Sequence, residues 1–221
     1  MTHQKIGGIA AIVEAALYIT GIAVLFLFLT PEMSEVRSDL EQLRFVIDNK
    51  TLFQVWYVLI YVVFGLVLIP LTIVINEHFK TASLFGTQVA PVLGFIWAGL
   101  VISSGMITIV GMETVNDIIV QDPSAAVTAW QIVGSIRNAL GGGVEIVGGL
   151  WVFLISVYGV TQSVFPRRLN YLGLLVGGAG ILTIVPGLKE LGLMFGLSQI
   201  IWFAWIGISM LTDTKQAAST I

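Results

Sequence analysis

Two glutamates are the side chains of this sequence best suited to chemistry inside a membrane. Glu14 and Glu145 each lie in a long apolar run, and Arg137 is the only other charged residue within such runs. An ionisable group in mid-bilayer costs at least about 2.5–3.5 kcal/mol, so it usually faces protein or water. A carboxyl group placed there can exchange a proton, hold a cation or bind a small ligand. Both glutamates are therefore candidate site residues.

Three further polar residues accompany the glutamates. Tyr18 follows Glu14 by one helical turn and could donate a hydrogen bond to it. In a continuous helix, Asn138 and Glu145 share one face, whereas Arg137 is rotated by about 80° from Glu145 at 100° per residue. This spacing predicts no direct salt bridge between Arg137 and Glu145.

The glutamates have two readings, and the sequence leaves both open. As structural groups, they would be protonated carboxyls that fix helix packing. As functional groups, Glu14 and Glu145 would flank one polar cavity for protons, a cation or a small ligand, with Tyr18, Asn138 and Arg137 around them.

No metal, cofactor or catalytic set is predicted. The chain lacks cysteine, which excludes disulfides, thiolate zinc sites and a cysteine nucleophile. A catalytic zinc site typically has three protein ligands, and the two histidines, His3 and His78, both lie outside the predicted spans. No Gly-rich phosphate loop, Ser-His-Asp set or metalloprotease motif is present. A lipid-acting enzyme using the two carboxylates is therefore the third-ranked hypothesis.

The elements that must position these residues are membrane spans. Of the 221 residues, 57% are hydrophobic and 10% charged, whereas soluble domains have about 25% charged residues. A span needs about 20 apolar residues. The sequence therefore predicts an all-α membrane bundle, one domain over residues 1–221, with spans at about 6–29, 53–75, 89–110, 132–160, 169–188 and 191–211.

One amphipathic helix is predicted outside the bilayer, over residues 31–49, with Thr30 as its N-cap. Its apolar residues recur at steps of three and four, which is typical of an interfacial helix; a lid over the bundle or a docking surface for a partner is the alternative. Glu113, Asp117 and Asp122 are read as a solvated acidic loop. The basic residues of the short loops favour both termini in the cytoplasm.

A weak internal repeat is also predicted. Gly-Gly followed by Val-Glu occurs at residues 7–14 and again at 142–145, and Ile-Trp occurs at 96–97 and 201–202. Three spans per half would make the halves antiparallel, an architecture that many secondary transporters use.

The C-terminal part of the chain resembles a known family. Residues 165–173 (FPRRLNYLG), a glycine-rich span and residues 201–207 (IWFAWIG) look like a widespread bacterial family of small multi-pass membrane proteins of unknown function, most clearly over residues 130–211. The resemblance implies a six-helix bundle in the prokaryotic inner membrane. It implies no activity.

Two main hypotheses of function follow. The first is a transporter-like six-helix bundle that handles a small ligand, proton or cation through Glu14 and Glu145. The second is a structural or accessory subunit of a larger membrane complex, docking a partner or a second copy through small-residue faces such as Gly173 and Gly177. The bilayer is the expected surrounding in both, and the net charge of -3 gives no basis for nucleic-acid binding.

Overall fold

A computed structural model describes residues 2–29, 38–79 and 85–212 of the chain. These residues are 89% helical and contain no strand, so the all-α prediction is confirmed. In chain order the helices are α1 (His3–Val24, continued by a π-helical turn at Leu25–Leu29), α2 (Asp39–Asp48), α3 (Lys50–Glu77, with a π-helical segment at Val58–Val63), α4 (Phe85–Ile118), α5 (Pro123–Arg137, continued by Asn138–Gly142), α6 (Ile146–Gln162), α7 (Arg167–Leu182) and α8 (Leu191–Thr212), with a 3-10 turn at Pro186–Leu188.

Five of the described segments are long and apolar enough to cross a membrane. They are His3–Phe28, Lys50–Glu77, Gln88–Ile118, Pro123–Gln162 and Leu191–Thr212. The predicted fifth span corresponds to α7, which has 16 residues and is therefore about 24 Å long, short of the roughly 30 Å hydrocarbon core. The six-span count thus stays a prediction, while five candidate spans are present.

The long helices form a closed ring. Each packs against its neighbour in chain order, with α5 and α6 together following α4, and α8 returns to pack against α1. Glycines allow the closest approach between α6 and α7, where a Cβ atom on Gly149 would lie 2.6 Å from the Ile181 backbone nitrogen. Small residues at such contacts are how helices associate tightly in lipid.

Aromatic side chains pack against one another in the core of the bundle. Trp97, Trp151 and Trp202 are at most 2% exposed, and their ring centroids follow one another at 5.6 and 5.7 Å. Phe64, Phe195 and Phe203 pack around them. These six residues are called the aromatic layer below.

Helix α2 is the described part of the predicted amphipathic helix, whose residues 30–37, including the proposed N-cap Thr30, lie outside the described ranges. A capping box between Ser38 and Glu41 starts it. Leu43 and Val46 are 1% and 2% exposed and pack against the ends of α3, α4 and α5. The helix therefore lies at the end of the bundle where α3 begins and α4 ends.

The acidic-loop prediction is wrong for Glu113 and Asp117, which lie within α4, whereas Asp122 lies in the connection to α5. Glu113 lies within α4, where its carboxylate accepts a hydrogen bond from Lys50 Nζ at 2.7 Å and another from the Gln54 amide. Asp122 is the N-cap of α5 and accepts a hydrogen bond from the Ala125 N–H at 2.9 Å. Helix α4 continues further past the apolar run than expected, and the hydrogen bonds of Glu113 to Lys50 and Gln54 stabilise this extension.

Candidate functional site

The candidate fourth span is broken at its middle. A continuous helix over residues 132–160 was predicted, but Gly141 has φ 123° and ψ 17°, and residues 143–145 are not helical. Glycine is less favourable than alanine in a helix by about 1 kcal/mol, and it alone adopts positive φ readily. Three consecutive glycines, 141–143, therefore explain the break. The expected helix face shared by Asn138 and Glu145 does not exist.

Hydrogen bonds fix the broken segment. The Val144 N–H donates to the Asn138 carbonyl at 3.0 Å, and the Glu145 N–H donates to Thr183 Oγ1, just beyond α7, at 2.8 Å. Ser104 Oγ on α4 donates to the Arg137 carbonyl at 3.2 Å. Non-helical backbone at membrane depth is tolerated only where protein buries it or where it lines a cavity. Both conditions apply at this break.

A cavity of about 400 Å³ lies beside the break, within the size range of small-molecule sites. Its walls come from α1 to α5 and from the break, in the half of the bundle nearer α2. The lining residues are Leu17, Tyr18, Gly21, Ile22, Leu25, Val46, Phe53, Trp56, Tyr57, Ile60, Tyr61, Phe64, Trp97, Val101, Trp130, Arg137, Gly141, Gly142 and Glu145. Only two of them, Arg137 and Glu145, carry charged side chains.

Glu145 stands at the junction of the break and α6. It is the residue before the first turn of α6, and its side chain makes no capping hydrogen bond there. It is partly accessible, and within the described ranges its carboxylate has no hydrogen-bond or ion-pair partner. The positive end of the α6 dipole favours a negative charge at this position.

Arg137 borders the same cavity from the end of α5. Its Nη1 donates to the Tyr57 hydroxyl at 2.7 Å, and its Nε donates to Asn138 Oδ1 at 3.4 Å. Both acceptors are neutral. The described residues provide no ion pair between Arg137 and Glu145, which agrees with the sequence prediction. The tyrosine that Arg137 meets stacks on Tyr61, with ring centroids 5.8 Å apart.

Glu14 occupies a different environment. It is 0% exposed, it is not among the residues that line the cavity, and among the described residues neither carboxylate oxygen has a hydrogen-bond partner. The predicted hydrogen bond from Tyr18 is therefore wrong. Tyr18 instead lines the cavity. Its ring centroid lies 5.3 Å from that of Phe64, and the two rings are roughly perpendicular.

The structure thus brings together three of the five predicted site residues. Tyr18, Arg137 and Glu145 border one cavity, whereas Glu14 is enclosed elsewhere in the core and Asn138 is exposed. Asn138 contributes through its backbone carbonyl, which supports the break. The functional roles assigned to these residues stay predictions.

Sequence reasoning missed the tyrosines of α3. Tyr57 and Tyr61 both line the cavity, and their i,i+4 spacing in an apolar run indicates two hydroxyl groups on one helix face. The three adjacent glycines were a second available signal, since such a run inside a span predicts a discontinuity.

Known proteins add nothing to this geometry. No protein-family model, curated protein or solved structure matches the chain. Within the described ranges, no group of three or more histidine, aspartate or glutamate residues is placed to hold a metal ion. The candidate site is therefore interpreted from its own residues.

Proposed function

We propose that this protein is a transporter-like membrane protein that binds a small ligand in the cavity beside the broken helix. The observation that carries this proposal is the Glu145 carboxylate, which borders a cavity of about 400 Å³ and has no partner among the residues that the structure describes. Discontinuous spans whose ends face a cavity are typical of substrate sites in secondary transporters.

The physical argument concerns the charge of Glu145. Leaving a carboxylate away from bulk water without a partner is costly, so it either takes up a proton or binds a cation. Aromatic rings of Tyr18, Tyr61 and Trp97 border the same cavity, and their faces attract cations. A cationic group or a proton is therefore the expected occupant beside Glu145.

The aromatic layer supports a role in transport. Phe64 and Trp97 of this layer line the cavity, whereas its other four residues do not. In this proposal the layer closes the core on the side of the cavity away from α2. A site reached from one side at a time is what alternating access requires. In this proposal α7 completes six spans, both termini are cytoplasmic and α2 covers the outer mouth, in the prokaryotic inner membrane that the family resemblance implies.

A matched pair of carboxyls tests the proposal. In nanodiscs, carboxyl-selective labelling read by mass spectrometry should modify Glu145 and spare Glu14, because only the first borders the cavity. Glu145→Gln should remove the label from its peptide, whereas Glu14→Gln should leave the labelling unchanged. Protection of Glu145 across all conditions would remove the accessible cavity and the proposed function with it.

A structural or accessory role is the second candidate, and the sealed position of Glu14 favours it. Under that role both carboxyls would be protected, and the isolated chain would depend on a partner for stability. Light scattering after size-exclusion chromatography tests this point, since a stable monomer in detergent would contradict the accessory role.

A further inference from the structure

The two charged residues of the cavity have opposite signs and are not paired with each other. Arg137 reaches the neutral hydroxyl of Tyr57, and Glu145 meets no partner among the described side chains. Each charge therefore faces the cavity without a counter-ion from the described protein. This arrangement differs from a buried ion pair, in which the two groups neutralise one another.

A ligand with a single charge leaves one of these groups uncompensated. A simple cation beside Glu145 shares the cavity with the like charge of Arg137, and a simple anion beside Arg137 shares it with the like charge of Glu145. Like charges in a poorly solvated site repel more strongly than in water. A ligand with both charges satisfies both residues at once.

We propose that the cavity binds a zwitterion, with its ammonium group at Glu145 and its carboxylate or phosphate at Arg137. This inference rests on the proposed function and names its ligand class. A guanidinium can hold a carboxylate or phosphate in bidentate fashion, and the positive end of α6 favours the ionised form of Glu145, which is the form that can accept hydrogen bonds from an ammonium group.

The walls between the charges suit an apolar body. Aromatic and aliphatic residues make up most of the lining, among them Phe53, Trp56, Trp97 and Trp130. A zwitterion that carries an apolar group satisfies both the walls and the two charges. The same chemistry occurs in a free amino acid and in the headgroup of a zwitterionic lipid, so the experiment includes both sources.

Calorimetry on the full-length protein in nanodiscs tests the first source. One probe set is phenylalanine, its methyl ester, which keeps only the cation, and N-acetylphenylalanine, which keeps only the anion. A second set places the charges further apart: 6-aminohexanoate and its two matching derivatives. For at least one set, the zwitterion should bind about tenfold or more tightly than either derivative, a difference of about 1.4 kcal/mol.

Charge-removing variants should abolish the preference for the zwitterion over one of its derivatives. Glu145→Gln should bind the zwitterion and the N-acetyl derivative equally well, because the ammonium contact is gone. Arg137→Gln should bind the zwitterion and the ester equally well, and Arg137→Lys should restore preference for the zwitterion. Circular dichroism confirms that each variant is folded, and Arg137→Met removes the charge instead if Arg137→Gln does not fold.

The second source is tested with short-chain lipids that share the same acyl groups. In detergent, dihexanoyl phosphatidylethanolamine should bind more tightly than dihexanoyl phosphatidylglycerol if the zwitterion is a lipid headgroup. Binding of the phosphatidylethanolamine without binding of the amino acids supports the inference and shows that the zwitterion is a lipid headgroup. Binding of an amino-acid zwitterion alone supports it and selects the free solute.

The failure of this inference is separable from failure of the proposed function. If an ester binds as tightly as its zwitterion and Arg137→Gln changes nothing, the cavity is a cation site and the zwitterion is excluded. If no zwitterion of either source binds, the inference is likewise overturned. In both cases the labelling of Glu145 decides about the proposed function. If Glu145 is still labelled, the cavity is accessible and the proposed function stands; if Glu145 is protected, both proposals are refuted.

Discussion

Two adjacent glycines on α7 offer a matched test of how closely that helix packs. A Cβ atom at Gly177 would lie 2.6 Å from the Phe153 backbone nitrogen and 2.7 Å from the Gly149 carbonyl oxygen, whereas a Cβ atom at Gly178 would have nothing within 4 Å. Both residues lie in the interior of one helix. Replacing either by alanine therefore changes helix propensity equally and differs only in the contact with α6.

The magnitude follows from these distances. Ordinary contact begins at 3.4 Å, so the new methyl group at Gly177 is about 0.8 Å too close to α6 backbone, which cannot rotate away. Overpacking of this kind costs about 1–3 kcal/mol, offset by up to about 1 kcal/mol from the better helix propensity of alanine. Gly178→Ala keeps that gain without the clash. We expect the two variants to differ by about 1–3 kcal/mol in free energy of unfolding.

Reversible unfolding in mixed micelles of a mild detergent and sodium dodecyl sulfate measures this difference. Gly177→Ala should unfold at a lower mole fraction of dodecyl sulfate than the parent, and Gly178→Ala at an equal or higher one. Equal midpoints for the two variants would refute the close contact between α6 and α7. They would also remove the support for adding α7 to the five candidate spans.

Two further predictions concern the broken segment. Gly141→Ala should lower the unfolding free energy by about 1–3 kcal/mol because alanine is strained at φ 123°. The control Gly134→Ala, in the regular part of α5, should leave the unfolding free energy unchanged or raise it. Both are measured by unfolding in mixed micelles, and equal effects of the two substitutions would mean that the helix is unbroken. Thr183→Val should lower the unfolding free energy by about 1–3 kcal/mol and weaken ligand binding, because the Glu145 N–H then lacks its acceptor. The control Thr128→Val, at an exposed position, should change the unfolding free energy by less than about 0.5 kcal/mol. If Thr183→Val changes neither stability nor binding, this hydrogen bond does not hold the break.

Hydropathy alone predicted most of the architecture. The apolar runs correspond to the five candidate spans and to α7, because length and apolarity are what a bilayer requires of a helix. Boundaries were less accurate where polar side chains extend a helix beyond its apolar run. At the end of α4, Glu113 continues the helix by bonding to Lys50 and Gln54, partners that are distant in sequence.

The site was only partly predictable from sequence. Stepping by helical turns through residues 138–152 assumed an unbroken helix, and the glycine run invalidates that assumption. Glu14 and Glu145 have similar sequence neighbours but different surroundings, because their exposure depends on which helices pack against them. Glu14 also lies in the continuous α1 and Glu145 at a break, so the internal repeat, whose main evidence was this pair, stays a prediction.

Packing between α6 and α7 links the stability of the bundle to its candidate site. Unwinding residues 143–145 removes helical hydrogen bonds, and an unsatisfied buried backbone group costs about 1–3 kcal/mol. Thr183 replaces one of these bonds only because the glycines of α7 bring it close to Glu145. A substitution that separates α6 from α7 should therefore reduce stability and displace Glu145 together. The converse also follows: a ligand that binds Glu145 in the native state should raise the unfolding free energy of the bundle, and less so in Thr183→Val, where the break is less firmly held.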